Sequence, residues 1–270
     1  MRKKQPIGIF DSGIGGLTVA KAISQLLPEE RMIYFGDTEH MPYGGRSAEH
    51  ILQYSLKITE FLIAQGAKII VIACNSASAV ACLHLQEKYK GQIEVIGVIE
   101  PVTDYISRQD FKKVGIIGTK PTIESRAHQT LLSLSKPSQK IVTMATPLLA
   151  PMIEEGFFNN SISQTIVNSY LGNWRFKSID ALVLACTHYP LIKKEILKFY
   201  QKKIDIIDTS EIVAEAVKQS LTAQKLLNPT RNKADQFFVS EYTESFEKTT
   251  KVFYGTQVHI EEVRLNYETP

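Results

Sequence analysis

Only three cysteines occur in 270 residues, and their odd number and wide spacing exclude a disulfide framework; a reducing compartment would keep them as thiols. No CxxC or HxxxH spacing marks a self-contained metal site. No apolar run approaches the roughly 18 residues that a membrane helix needs. The basic opening MRKKQP is followed only by Ile7 to Phe10 before Asp11 interrupts, which is not the pattern of a secretory signal. An excess of one charge is missing as well. Against 31 basic residues stand 28 acidic ones, for a net +3, and this balance implies neither a nucleic-acid surface nor a polybasic membrane anchor. Low-complexity tracts and disordered linkers are absent too. These absences together lead to the expectation of a cytoplasmic protein that binds neither nucleic acid nor membrane.

What is present is enough apolar sequence for a real core. Hydrophobic residues make up 44% of the chain, which suits one large or two medium domains. Short runs rich in Ile and Val alternate with longer segments of helical period, the pattern of βα units and a mostly parallel sheet. Strands are expected at Ile7 to Phe10, Met32 to Phe35, before Cys74, and at Glu94 to Val98. A helix is expected from about Ser47 to Ala64, with Ile51, Leu52, Ser55, Ile58, Thr59 and Leu62 inward and Gly66 as its stop. From Pro101 the pattern starts again: VGIIGTKPT from Val114 reads like IGIFDSGIG from Ile7. Further strands are expected at Ile141 to Met144, before Cys186, and at Lys203 to Ile207, with a helix from about Ser161 to Leu171. Asp208 begins what resembles an N-capped helix. DQFFVS (235–240) and TQVHIEEV (256–263) read as two strands that return to the first half. The fold expected is α/β, with two pseudo-symmetric doubly wound domains of mostly parallel sheet. One would comprise 1–98 with 208–270 and carry Cys74; the other would comprise 99–207 and carry Cys186.

Two stretches organise this pattern. IIVIACNSASAV (69–80) and ALVLACTHYPLI (181–192) each run from buried-strand residues through Ala-Cys into a short polar group and an expected helix start. Carboxyl ends of parallel strands border the ligand crevice, so the two thiols are expected at one site. A lone cysteine is most often a small buried hydrophobe, and Cys82, within a helix, reads that way. Cys74 and Cys186 differ because their matched contexts place each beside a helix N-terminus, which favours thiolate. Asn75, Ser76, Ser78 and Thr187 supply compact amide and hydroxyl groups that suit a small zwitterion, although each alone could be an N-cap. Asp11-Ser12 ends the first strand before Gly13, Gly15 and Gly16. An acidic residue there would repel phosphate and welcome an ammonium group. Pro42 to Ser47 could be a plain turn or could wrap a carboxylate with backbone amides. His188, two residues after Cys186, is placed to exchange or hold a proton. His40, His50, His84, His128 and His259 have no neighbouring thiol in sequence.

The set DSGIGGLTV, MPYGGRS, ACNSAS, PMIEEG and ACTHYPL closely resembles the glutamate racemases of the aspartate/glutamate racemase group, over about Ile7 to Val263. That resemblance implies two α/β domains facing each other across a cleft and cofactor-independent racemisation of L-glutamate to D-glutamate for peptidoglycan, with Cys74 and Cys186 as the two acid/bases. It implies substrate contacts at Asp11, Ser12, Tyr43, Gly44, Asn75, Ser76, Thr187 and His188, with Asp11, Glu154 and His188 assisting the thiols. A homodimer is expected on the same ground, and no metal. Ser76 stands where the family commonly has threonine, and Thr146 stands where a cysteine is common.

The chemistry of the residues agrees. Racemisation removes the α-hydrogen from one face and returns a proton to the other, so two acid/base groups must flank one carbon. A free thiol near pKa 8.5 is mostly protonated at neutral pH, so one cysteine must be shifted towards thiolate while the other stays neutral. No pyridoxal-lysine motif is evident to spread the carbanion charge, which leaves electrostatic stabilisation in a closed cleft. Two other readings stand beside this one: the same mechanism acting on aspartate, since one methylene discriminates by only about 1 to 3 kcal/mol, and a zinc site built from Cys74, Cys186 and His188.

Overall fold

The short apolar runs become strands in the computed structural model, which describes residues 2–231 and 233–267. The first half runs β1 (Ile7–Asp11), α1 (Leu17–Leu26), β2 (Met32–Gly36), α2 (Ala48–Ala64), β3 (Ile69–Ile72), α3 (Asn75–Lys88), β4 (Glu94–Gly97) and α4 (Ile99–Ser107). The second runs β5 (Lys113–Gly118), α5 (Lys120–Glu124), α6 (Ala127–Ser135), β6 (Lys140–Ala145), α7 (Leu149–Glu154), α8 (Ser161–Leu171), β7 (Ala181–Ala185), α9 (Lys193–Phe199) and β8 (Asp205–Ile207). α10 (Thr209–Ala223), β9 (Gln236–Val239), α11 (Glu244–Tyr254) and β10 (Glu261–Glu262) complete the described chain.

These strands form two parallel sheets, ordered β10-β9-β2-β1-β3-β4 and β6-β5-β7-β8. β6-β5-β7-β8 repeats the order β2-β1-β3-β4, strand for strand, so the internal similarity seen in the sequence is a similarity of topology. In each sheet the chain moves to one side of its first strand and then crosses to the other. The switch points therefore lie between β1 and β3 and between β5 and β7, where an open parallel sheet holds its ligand beyond the strand ends. Every residue of β1, β2, β3 and β7 is buried, as expected of strands with helices on both faces.

Local chemistry sets the helix ends. The Ser47 side chain accepts the His50 amide and starts α2. Gly66 follows its end at φ +84°, a left-handed conformation suited to glycine. Asp208 caps α10 by accepting from the Ser210 amide.

The C-terminal segment returns to the first sheet, with β9 beside β2 and β10 beside β9. A buried ion pair fixes its approach. Lys68 Nζ donates to Glu30 Oε2 at 2.5 Å and to the carbonyls of Lys3 and Leu226, while Glu30 Oε1 accepts the Asn228 amide at 2.8 Å. The strand expected at 256–263 is shorter than its alternation suggests, since only Glu261 and Glu262 join the ladder. The chain needs the preceding residues to travel from the end of α11, at Gly255, to the sheet edge.

Candidate active site

Both switch points open onto one cavity. It is lined by Ser12, Tyr43, Gly44, Cys74, Asn75 and Ser76 from the first sheet and its loops, and by Thr119, Ala150, Glu154, Cys186, Thr187 and His188 from the second, with Pro42 at the side. The cavity measures about 20 Å³, enough for a water molecule. An amino acid does not fit a space of that size, so the site as it stands is closed.

Cys74 follows β3 and is the N-cap of α3: its Sγ accepts the Ala77 amide at 3.5 Å and donates to Ser12 Oγ at 3.6 Å. The Ala77 amide favours thiolate, but burial and the neighbouring Asp11 carboxyl outweigh it and push the thiol up to about 12. The helix N-terminus therefore does not make Cys74 a thiolate in the closed cleft.

Cys186 occupies the matching place after β7, but its surroundings differ. The expected helix start is replaced by a 3-10 turn over Tyr189–Ile192, with Pro190 in its first positions, and α9 begins only at Lys193. The group beside the sulfur is instead the His188 imidazole, with Nδ1 3.7 Å from Sγ. His188 Nε2 stands 3.1 Å from Glu154 Oε1, out of line for a directed hydrogen bond, so their link is one of charge. Burial by itself would depress the imidazole, yet Cys186 and Glu154 more than offset it and hold His188 well above its ordinary value. An imidazole so placed takes up a proton more readily than a free one.

Asp11 lies beneath the cavity wall, fully buried. Its Oδ2 accepts the amides of Gly13 and Gly16 at 3.2 and 3.0 Å. Burial raises its carboxyl above the usual range, against the pull of His188 and those amides. The glycines of DSGIGG serve this packing. A Cβ on Gly16 would meet Asp11 Cβ at 2.5 Å, and one on Gly15 would meet Thr187 Oγ1 and His188 Cε1 at 2.6 Å. The loop is a close fit between the two halves and not a phosphate cradle. Asp11 Oδ1 and both polar atoms of Asn75 are buried with no hydrogen-bond partner among the described residues. Asn75, which lines the cavity, is placed to meet a charged end of a zwitterion.

Thr119, which sequence reasoning passed over, belongs to the same wall. Its hydroxyl shares hydrogen bonds with Ser76 at 2.8 Å, across the cleft, and with Thr122 at 2.9 Å. A signal for it existed: aligning VGIIGT on IGIFDS sets Thr119 on Ser12. The same register sets Gly118 on Asp11, and ACTH on ACNS sets His188 on Ser76. The pseudo-symmetry thus breaks at the two charged groups, one beside each thiol. Thr146, the other departure from the family pattern, bonds Tyr189 Oη at 2.7 Å and braces the turn after Cys186.

Cys82 lies outside the site, buried against Gly97. Among the described residues, no three His, Cys, Asp or Glu side chains are grouped so as to hold a metal ion. No described helix is long and apolar enough to cross a membrane.

Comparison with known proteins gives concordant matches. Residues 17–217 match the model of the Asp/Glu/Hydantoin racemase family. The chain is 40% identical over 255 residues to a glutamate racemase of Chlorobaculum tepidum, covering 94% of this chain and 93% of that protein. To a glutamate racemase of Geobacter metallireducens it is 41% identical over 253 residues, 92% of each. The crystal structure of glutamate racemase from Francisella tularensis in complex with D-glutamate superposes with a TM-score of 0.91 at 37% identity, covering 97% of this chain and 98% of that one.

Proposed function

The chain belongs to the Asp/Glu/Hydantoin racemase family and is an isomerase, and we propose that it interconverts L- and D-glutamate with Cys74 and Cys186 as its two acid/bases. The observation that carries this reading is the unequal environment of two matched thiols. Cys74 is buried beside Asp11, which together push its thiol up, while the His188 imidazole, raised by its neighbours, stands 3.7 Å from the Cys186 sulfur. One acid and one base flanking a carbon is the arrangement that racemisation requires.

From L-glutamate, the Cys186 sulfur takes the α-proton and its S–H bond forms as the C–H bond breaks, leaving the electron pair on the α-carbon. Cys74 then gives its proton to the opposite face. The thiols end with their protonation exchanged, which is the state required to act on D-glutamate. Asp11, Ser12, Tyr43, Gly44, Asn75, Ser76, Thr187 and His188 hold the substrate, and Thr119 joins them. Asp11, His188 and Glu154 adjust the thiols. Closing the cleft excludes water and strengthens the fixed dipoles that meet the developing charge. The reaction uses no cofactor or metal in this scheme. D-glutamate made this way would supply peptidoglycan, in the cytoplasm, from a homodimer, with 1–98 and 208–270 moving as one domain against 99–207.

A chiral assay of purified protein with L-glutamate and with L-aspartate, in chelator, tests the reading. D-glutamate should accumulate to parity with the L form and D-aspartate should not. No D-glutamate, or activity lost to chelator and restored by zinc, overturns it.

A further inference from the structure

The loop that brings Tyr43 and Gly44 to the cavity is held by residues from the far end of the chain. Asp37, fully buried, is the centre of that attachment: its Oδ2 accepts Tyr43 Oη at 2.6 Å, and its Oδ1 accepts His40 Nδ1 at 2.8 Å and Ser240 Oγ at 2.9 Å. Two bonds between Thr38 and Glu241, at 2.6 and 3.0 Å, and one from the Glu39 amide to Ser240 Oγ at 2.9 Å fasten the loop to the end of β9. None of these bonds to Ser240 or Glu241 is local; the partners are more than 200 residues apart in sequence.

Beyond β10 the chain runs back over this loop. Val263, Leu265 and Tyr267 pack against the core cluster that contains Tyr43 and Cys74. Tyr267 makes the last attachment. Its hydroxyl reaches Asp37 Oδ1 at 3.3 Å, and its carbonyl accepts Gln53 Nε2 at 2.7 Å. Its ring stands edge-on to His40 and Tyr54, with centroids 4.6 and 5.2 Å away, and His40 stacks on Tyr54 at 4.0 Å. Tyr54 in turn lies 5.7 Å from the Tyr43 ring. Edge-on and stacked contacts hold rings in a set relation, so the tail helps to fix the loop.

We infer that residues 263–267 are a strap and Tyr267 a positioning residue for the substrate-binding loop, acting through Asp37 and Tyr54 on Tyr43 and Gly44. The inference rests on the assignment of those two residues to substrate binding. A loop set free by an ångström would lose binding contacts made by its backbone amides, and small misplacements of this kind cost large factors. The loss would fall on KM for both enantiomers more than on kcat, because the thiols sit on other elements.

The test compares Tyr267→Ala, Tyr267→Phe and wild type, below their melting temperatures, by initial rates over a range of glutamate concentrations and by hydrogen exchange of peptides covering 38–47. Tyr267→Ala should raise KM for L- and D-glutamate by about tenfold and quicken exchange in 38–47 while leaving β5 and β7 unchanged. Tyr267→Phe, which keeps the ring and loses only the long hydroxyl contact, should stay within about twofold of wild-type KM. A lowered melting temperature with wild-type KM and wild-type exchange in 38–47 would reduce the tail to a stabilising flap and overturn the inference. If wild type itself fails to racemise glutamate, the functional assignment falls, and the exchange comparison still decides whether the strap holds the loop.

Discussion

Cys186 Sγ lies 3.7 Å from His188 Nδ1, and this contact makes the two thiols of a pseudo-symmetric site chemically unlike. The sheet order gives the cysteines equivalent places, and their charged neighbours give them different surroundings. Asp11 acts on Cys74, where the second half has Gly118. His188 acts on Cys186, where the first half has Ser76. A site of perfect symmetry would have two thiols in the same state and no preferred base.

Cys74→Ser and Cys186→Ser should each lower turnover by at least ~10²–10⁴-fold, the usual contribution of a positioned acid or base. A serine hydroxyl is too weak an acid to replace either thiol. Cys82→Ser should leave kcat near wild type, because Cys82 packs on Gly97 away from the cavity. Unchanged circular dichroism in all three variants is the control. Full activity in either of the first two, or an equal loss in the third, would remove the two-thiol reading.

Asp11→Asn and His188→Asn should alter the two starting directions unequally in kcat. In the proposed scheme, removing the Asp11 charge lowers the barrier to ionising Cys74, the base for D-glutamate, and removing His188 takes the imidazole from beside Cys186, the base for L-glutamate. With an equilibrium constant of one, kcat/KM must fall by the same factor in both directions, so the asymmetry in kcat appears with a compensating one in KM. Initial rates at saturating L- and D-glutamate measure it. Identical kcat losses in both directions for both variants would leave these residues as binding groups only.

The parts of this site that could be read in the sequence are those written within a few residues of a strand end. Ala-Cys after an apolar run, Asp-Ser before glycines, and Thr-His after Cys186 are local signals, and the parallel sheet follows from the βα alternation. Thr119 was legible only through the register of the internal repeat. α11 was overlooked between two expected strands, although Thr243 caps its start and Gly255, at φ +99°, ends it. The strap could not be read at all, because Tyr267 and Asp37 are 230 residues apart and neither lies in a recognisable motif. The state of Cys74 was hidden for another reason: a helix N-terminus is a local feature, but the burial that overrides it depends on closure of the whole cleft.

His128, in α6, gives the fold an acid-sensitive point. It is 1% exposed, its Nε2 lacks a partner among the described residues, and burial lowers the imidazole to about 4. A histidine whose folded value lies below its unfolded value of about 6.5 stabilises the fold above 6.5, and that contribution is lost as pH falls from 6.5 towards 4. The loss reaches roughly 3 kcal/mol by pH 4. His128→Leu removes the titration, so urea unfolding at pH 7 and pH 4 should show the variant gaining on wild type by about that amount. Parallel pH profiles would show that His128 is not the group concerned.

In heavy water, the product formed from L-glutamate should carry α-deuterium from its first turnover while the remaining substrate stays protiated. In the proposed scheme Cys186 removes the α-hydrogen, and Cys74, whose thiol equilibrated with solvent before the cleft closed, delivers deuterium to the other face. Closure matters to the outcome. Cys74 and Cys186 are 5% and 6% exposed around a cavity of about 20 Å³, so neither thiol exchanges freely while substrate is held. The proton on Cys186 therefore stays with its own face until the cleft opens. A single base serving both faces would carry the abstracted hydrogen across to the product, or exchange deuterium into unreacted substrate. Stopping the reaction at low conversion, separating the enantiomers and measuring α-deuterium in each distinguishes the schemes. Early deuterium in recovered L-glutamate, at a level rivalling that in D-glutamate, would rule out one thiol per face even if both cysteines proved essential.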